Sequence, residues 1–294
     1  MKKLKLLAIM LIIPLVLSLA ACNLNIAKKG GDDQGSTDVA DIPDGTDKAG
    51  KNSYQLYKSS LDKTNSLTDV STTQCVDADM SITIAGMTYN MQTVTNTASK
   101  IKNLLKPDML IEIHQDQKVI ALGNSENTKM DFFVDKDNIY VSQDGDPFIT
   151  VNRSSAEAQA FNESIESLTS DSSASELTQD MFVNSRISTA SDGTRTITLA
   201  LTNSQLMKLV GDNIESALAT MDSIGAENIN YDFDNIIVSI SIDPNGYLSM
   251  LLVNCDMDMD MSVQGQKASS TTKLKTTTAY VDIGKAVSIV MPTN

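Results

Sequence analysis

From Cys75 to Ile84 the chain alternates without a break. Val76, Ala78, Met80, Ile82 and Ile84 hold one parity; Cys75, Asp77, Asp79, Ser81 and Thr83 hold the other. Successive side chains of a β-strand point to opposite faces, so this stretch must form a strand with one apolar and one polar side. Gly86-Met87 suits a two-residue hairpin turn with glycine first, which sets Ile84 opposite Tyr89 and Ile82 opposite Met91. More strands are expected over Met109–His114, Lys118–Leu122, Lys129–Val134, Ile139–Ser142 and Phe148–Val151, separated by Gly, Asn, Asp and Pro clusters.

A second alternating segment has unusual chemistry. Between Leu251 and Val263, Val253, Cys255, Met257, Met259 and Met261 share one face, and Asp256, Asp258 and Asp260 share the other. Leu248, Met250 and Leu252 fall on the opposite parity, so a β-bulge is expected near Leu251 to Val253. The other late strands are Met181–Thr189 and Thr194–Leu201, paired about Ser191-Asp192-Gly193, then Asn235–Ile242, Ser270–Asp282 and Val287–Met291.

Helices are expected in three places. Asn52 and Ser53 can cap one bearing Tyr54, Tyr57, Leu61 and Leu67. Ser155 to Leu168 forms a second, and the Ser-rich stretch Thr169 to Ser175 follows it. Asn203 caps a third, with Leu206, Leu209, Val210, Ile214, Ala217 and Met221 on its apolar side. Strands joined mainly by hairpins and interrupted by helices make an α+β fold with a mostly antiparallel sheet.

The amino terminus has separate logic. Lys2, Lys3 and Lys5 precede an apolar run from Leu6 to Leu17, too short for a membrane-spanning helix and typical of a signal peptide. Leu19-Ala20-Ala21-Cys22 then matches the bacterial lipobox. That resemblance implies cleavage before Cys22 and diacylglycerol on its thiol, which anchors the chain stably. Residues 23 to about 50 are rich in Gly, Asp, Ser, Thr and Lys without a hydrophobic period, and read as a flexible tether. The division is therefore signal peptide 1–21, lipidated cysteine and tether 22–50, and one domain 51–294. The expected place is the outer face of the cell membrane.

The chain carries 23 basic and 37 acidic residues, a net charge of −14; loss of three lysines with the signal peptide leaves −17. Nucleic acid is excluded as a partner, because it needs basic patches. Trp is absent and His114 is the only histidine, which removes most general acid–base and zinc chemistry. Alternate strand residues lie about 6.6–6.8 Å apart, so neither the methionines nor Asp256, Asp258 and Asp260 converge on a small ion. Ser60 to Lys63 and Ser270 to Lys273 match Ser-x-x-Lys without the companion motifs of penicillin-binding enzymes. His114 and Glu112 share a face, and His114 reads as a surface or sheet-edge histidine. No catalytic constellation, cofactor or metal site is expected. Cys75 falls on a polar face and Cys255 on an apolar one, so no disulfide between them is expected.

Together, the lipobox, tether, amino-terminal helix and interrupted hairpins resemble LolA/LppX-like lipoproteins of Gram-positive bacteria. So do the segments FFVDKDNIYV (Phe132 to Val141) and AYVDIGKAVSIVMP (Ala279 to Pro292). The resemblance covers about residues 51 to 292. It implies a strongly curved sheet, an incomplete barrel with helices packed on its concave face, and relatives that shelter an acyl chain or lipid there. No ligand residue of that family is matched to a position here. The apolar-face residues read from this chain itself are Met80, Ile82, Met91, Met109, Cys255, Met257, Met259 and Met261. The function expected is non-enzymatic binding of a lipid or other apolar ligand by an anchored lipoprotein. The alternative is a structural or interaction module with a closed core, meeting another envelope protein.

Overall fold

The computed structural model describes residues 42–104, 106–159, 177–211, 214, 226–263 and 265–292. Its strands are β1 (Gly45–Asp47), β2 (Val70–Ile84), β3 (Met87–Lys102), β4 (Leu110–Ala121), β5 (Asn124–Val134), β6 (Asn138–Gln143), β7 (Ile149–Asn152), β8 (Ser185–Thr189), β9 (Arg195–Leu201), β10 (Ala226–Ile242), β11 (Leu248–Val263) and β12 (Gln266–Val281). All twelve join one sheet in the order β1-β8-β9-β10-β11-β12-β2-β3-β4-β5-β6-β7. Two meanders, β2 to β7 and β8 to β12, meet where β12 pairs with β2. Every pairing is antiparallel, and β1 and β7 are the two edges of the sheet among the described residues.

This overturns the expected α+β fold with helices on the concave face of a curved sheet. The protein is mostly antiparallel sheet, not closed, and helix is a minor part. The physical reason is strand length. Six strands run 12 residues or more, and most follow one another through tight hairpins, so the pleated backbone leaves little chain for helices. The one complete described α-helix, α1, spans Lys51–Asn65. Residues 203–211 are also helical, whereas most of the expected 155–168 helix, the Ser-rich stretch, Ala217 and Met221 lie outside the described residues.

Local chemistry moved several boundaries. The first hairpin turns on Ala85-Gly86, not Gly86-Met87; both residues have positive φ, 50° and 78°. Ile84 therefore faces Met87, Ile82 faces Tyr89, and Met80 faces Met91. That is a two-residue slip from expectation, and a two-residue slip keeps every side chain on its face. The expected Met109–His114 and Lys118–Leu122 are one strand, β4. Val287 to Met291 form no strand. The irregularity in β11 sits at Ser249, where Ile242 pairs Leu248 and Ser241 pairs Met250. It lies just upstream of the expected Leu251–Val253.

Residues 42–50, assigned to the tether from sequence, belong to the folded body. Ile42 is buried, and Gly45–Asp47 pair with Ser185–Ile187. Asp47 also caps α1: the Ser53 backbone N–H donates to Asp47 Oδ2 at 2.8 Å, so the cap comes from β1 rather than from Asn52 or Ser53. The helical turn after β9 is capped by Thr202, not Asn203. Gln205 N–H donates to Thr202 Oγ1 at 3.2 Å and Thr202 N–H donates to Gln205 Oε1 at 2.9 Å, a reciprocal capping box.

The main core gathers Leu56, Tyr57 and Leu61 of α1, Leu206, Leu209 and Val210, and inward side chains from β2, β3 and β8 to β12. A second cluster of Val70, Ile101, Ile111, Val134 and Ile139 closes the other end, with Tyr280 touching both. Gly50, before α1, ties these parts together. It holds φ +71°, and a Cβ there would stand 2.7 Å from the Phe182 carbonyl carbon and 2.8 Å from the Val183 nitrogen. Gly86 holds φ +78° with open space around it. Gly50→Ala is therefore expected to lose about 2–4 kcal/mol, strain and clash together, and Gly86→Ala about 1 kcal/mol from strain alone. Urea unfolding of both variants checks this; equal losses would contradict the close approach at Gly50.

Candidate functional site

The pleat places seven of the eight expected apolar-face residues in one cluster. Met80, Ile82, Met91, Cys255, Met257, Met259 and Met261 all join the main core, and none is more than 4% exposed. The register makes them a continuous wall across four strands: Met257 faces Thr272, which faces Met80, which faces Met91. Met109 does not belong to it. It precedes β4, is only partly buried, and packs on the second cluster.

Sequence reading missed the middle of this wall. Along β12, Ser270, Thr272, Leu274, Thr276 and Thr278 point inward and are buried, while Thr271, Lys273 and Lys275 point outward and are exposed. Thr93 and Thr95 of β3 face the same interior. A stripe of hydroxyls thus runs between two apolar strips. The side-chain oxygens of Thr93, Ser270, Thr272 and Thr276 are buried with no hydrogen-bond partner among the described residues. The usable signal was Lys273-Leu274-Lys275, which fixes the parity of the strand and turns its neighbouring Ser and Thr residues inward.

The opposite face is polar. Asp258 and Asp260 are exposed, and the pairs Asp232/Asp258 and Asp234/Asp256 set like charges opposite one another. No group of three or more His, Cys, Asp or Glu among the described residues could hold a metal ion. Cys75 and Cys255 are free thiols on opposite faces, as the parity argument required. Burial, and then Asp77, pushes the Cys75 thiol up; burial pushes Cys255 up to about 12. Both stay protonated, and a protonated thiol is a poor nucleophile.

His114 lies in β4, between β3 and β5 rather than at a sheet edge. Its Nδ1 stands 2.6 Å from Asp131 Oδ1 and its Nε2 stands 2.9 Å from Glu112 Oε1. Two carboxylates can both be satisfied only by a doubly protonated ring, which donates from each nitrogen. The Asp131 hydrogen bond raises the His114 pKa most; burial opposes it and Glu112 adds to it. For Glu112, burial pushes upward, but hydrogen bonds from Lys100, at 2.8 Å, and His114 bring it below its ordinary value. His114, Asp116, Lys129, Asp131 and Cys75 line an open groove of about 560 Å³.

The described residues thus form an open antiparallel β-sheet with a methionine and hydroxyl interior and an acidic exterior. The chain belongs to the family of unknown function DUF6612, whose model matches residues 52–294. No curated protein matches it. Among solved structures it is similar to the β-barrel-like protein of domain of unknown function DUF1849 from Brucella abortus, at 9% identity over 74% of this chain and 100% of that one, with a TM-score of 0.20. It is also similar to OccAB4 of Acinetobacter baumannii, at 8% identity over 69% of this chain and 57% of that one, with a TM-score of 0.11. Likeness at that level says nothing about what this chain binds.

Two measurements test the geometry. Met259→Asp buries a carboxylate without a partner and is expected to cost several kcal/mol, about 3 or more, whereas Asp258→Asn stays within about 0.5 kcal/mol. The reverse order in thermal melts would mean that the strand faces the other way. The second concerns pH. A raised His114 pKa stabilises fully below the unfolded value near 6.5 and loses that stabilisation as pH rises through the folded value. A lowered Glu112 pKa stabilises above the unfolded value near 4.5 and loses it as pH falls through the folded value. Wild type should therefore exceed His114→Gln most between those values, by about 0.5–1 kcal/mol at this half-exposed site, and the gap should close at alkaline pH. A gap that widens with pH would reverse the assignment.

Proposed function

We propose that this protein is a membrane-anchored extracytoplasmic lipoprotein that holds a lipid or other apolar ligand against its methionine wall, without catalysing a reaction. The observation that carries the reading is the unbroken wall from Met257 through Met80 to Met91, assembled from strands far apart in sequence. Thioethers are flexible and polarisable, and adapt to irregular greasy shapes. The resemblance to LolA/LppX-like lipoproteins, read from the lipobox at Cys22 and the segments at Phe132 and Ala279, supports the same class.

A closed core that only meets another envelope protein is the competing reading. The observation in its favour is tight burial. The wall residues are buried, and a small void lined by Tyr57, Leu177, Ile240, Leu248 and Leu251, none of them a wall residue, has a volume of about 10 Å³, enough for one water. A ligand must therefore displace whatever covers the wall, so occupancy and stability are coupled.

Lipid extraction and mass spectrometry of the full mature chain, purified with Cys22 replaced by Ala, separates the two readings. A stoichiometric apolar molecule that raises the melting temperature is expected; clean protein that gains nothing from added lipid supports the closed core instead. In cells, the same Cys22→Ala variant should leave the membrane fraction while staying folded. Retention of a folded variant on membranes would end the anchoring proposal.

A further inference from the structure

Four hydroxyls in the wall have no hydrogen-bond partner among the described residues. Ser270, Thr272, Thr276 and Thr93 are 4%, 1%, 2% and 6% exposed, and their oxygens are unpartnered. A buried polar group without a partner is destabilising, and native proteins rarely tolerate several together. Valine would fill each threonine site with nearly the same shape and no penalty. The flanking chain makes that apolar choice: Ser270 faces Met259 and Ile82, Thr272 faces Met257 and Met80, and Thr276 faces Val253 and Val76. Three of the four, Ser270, Thr272 and Thr276, therefore lie along one strand, β12, of an otherwise greasy surface, while Thr93 stands two strands away on β3.

Resting on the ligand reading above, we infer that the ligand is a neutral amphiphile, an acyl chain bearing ester or amide oxygens, laid along β12 so that the Ser270, Thr272 and Thr276 hydroxyls donate to it. A bare hydrocarbon would leave the hydroxyls unsatisfied. A free carboxylate would need a cation, and the wall offers none: Lys273 and Lys275 lie on the other face of the same strand. From Ser270 to Thr276 the stripe runs roughly 20 Å at about 3.3 Å per residue, so polar contacts are offered at several heights along a long chain. Methionines on both sides then take the methylenes.

The test uses the full mature chain with Cys22→Ala and three probes: a pyrene-tagged dodecanoyl methyl ester, the matching free acid, and pyrene-tagged dodecane. Fluorescence titration at neutral pH should show the ester binding about tenfold or more tightly than either of the others, the margin expected when a site's buried polar groups are matched. Thr272→Val and Thr276→Val are each made, so that one misfolding variant does not decide the matter. Each should melt at or above the wild-type temperature without ligand, and should bring ester and alkane within about threefold of each other. Equal binding of ester and alkane by wild type, or a preference that survives both substitutions, overturns the inference and leaves an apolar site standing. If no probe binds, the ligand reading itself falls and the inference with it.

Discussion

The pairing of β12 with β2 is the constraint on which everything else depends. It joins Ala268 through Val281 to Ile84 through Ser71 without a break, across nearly the full sequence separation of the folded body. Each meander can form from neighbours in sequence, but neither alone presents the whole interior wall. Closing such a long loop carries a large entropic cost before any contact rewards it. The register is held from both sides of the sheet. Outside, Lys273 stands opposite Asp79 and Lys275 opposite Asp77, pairs of opposite charge in directly facing positions. Inside, Gln74 Nε2 donates to Thr278 Oγ1 at 3.3 Å.

The alternation at residues 75–84 and 253–263 was legible, and it set the inward and outward faces correctly because parity survives a two-residue slip. The turn itself was not, because Ala85 takes a left-handed conformation that sequence statistics reserve for Gly, Asn and Asp. Leu122 does the same before Gly123 in the next hairpin. The end of the tether was misplaced because Gly45–Asp47 has no hydrophobic period; its place is fixed by hydrogen bonds to β8, and a three-residue edge strand leaves no pattern to read. The fold class failed for another reason. Helical periods are visible locally, whereas the joining of two meanders into one sheet depends on contacts that no local window contains.

The candidate site divides the same way. Its methionines were readable because they alternate with aspartates. The hydroxyls were not, because Ser and Thr occur on both faces of β12 and composition alone does not say which are inside. Met109 was misassigned since it ends a loop, where parity has no meaning. The pleat thus separates three chemistries on adjacent strands: thioethers and methyls inside, hydroxyls between them, carboxylates and ammonium groups outside.

The edge position of β1 has a mechanical consequence. The segment leading to the amino terminus leaves from Gly45–Asp47, held to β8 over three residue pairs, with Asp44 accepting from Thr189 N–H at 2.9 Å. Tension arriving along the chain from that side meets buried Ile42 and this short edge strand before it reaches the longer strands of the sheet. Loss of these three pairs would also release Asp47 from the start of α1. Three residue pairs of β1 therefore stand between a pull from the amino-terminal side and the long strands that carry the wall.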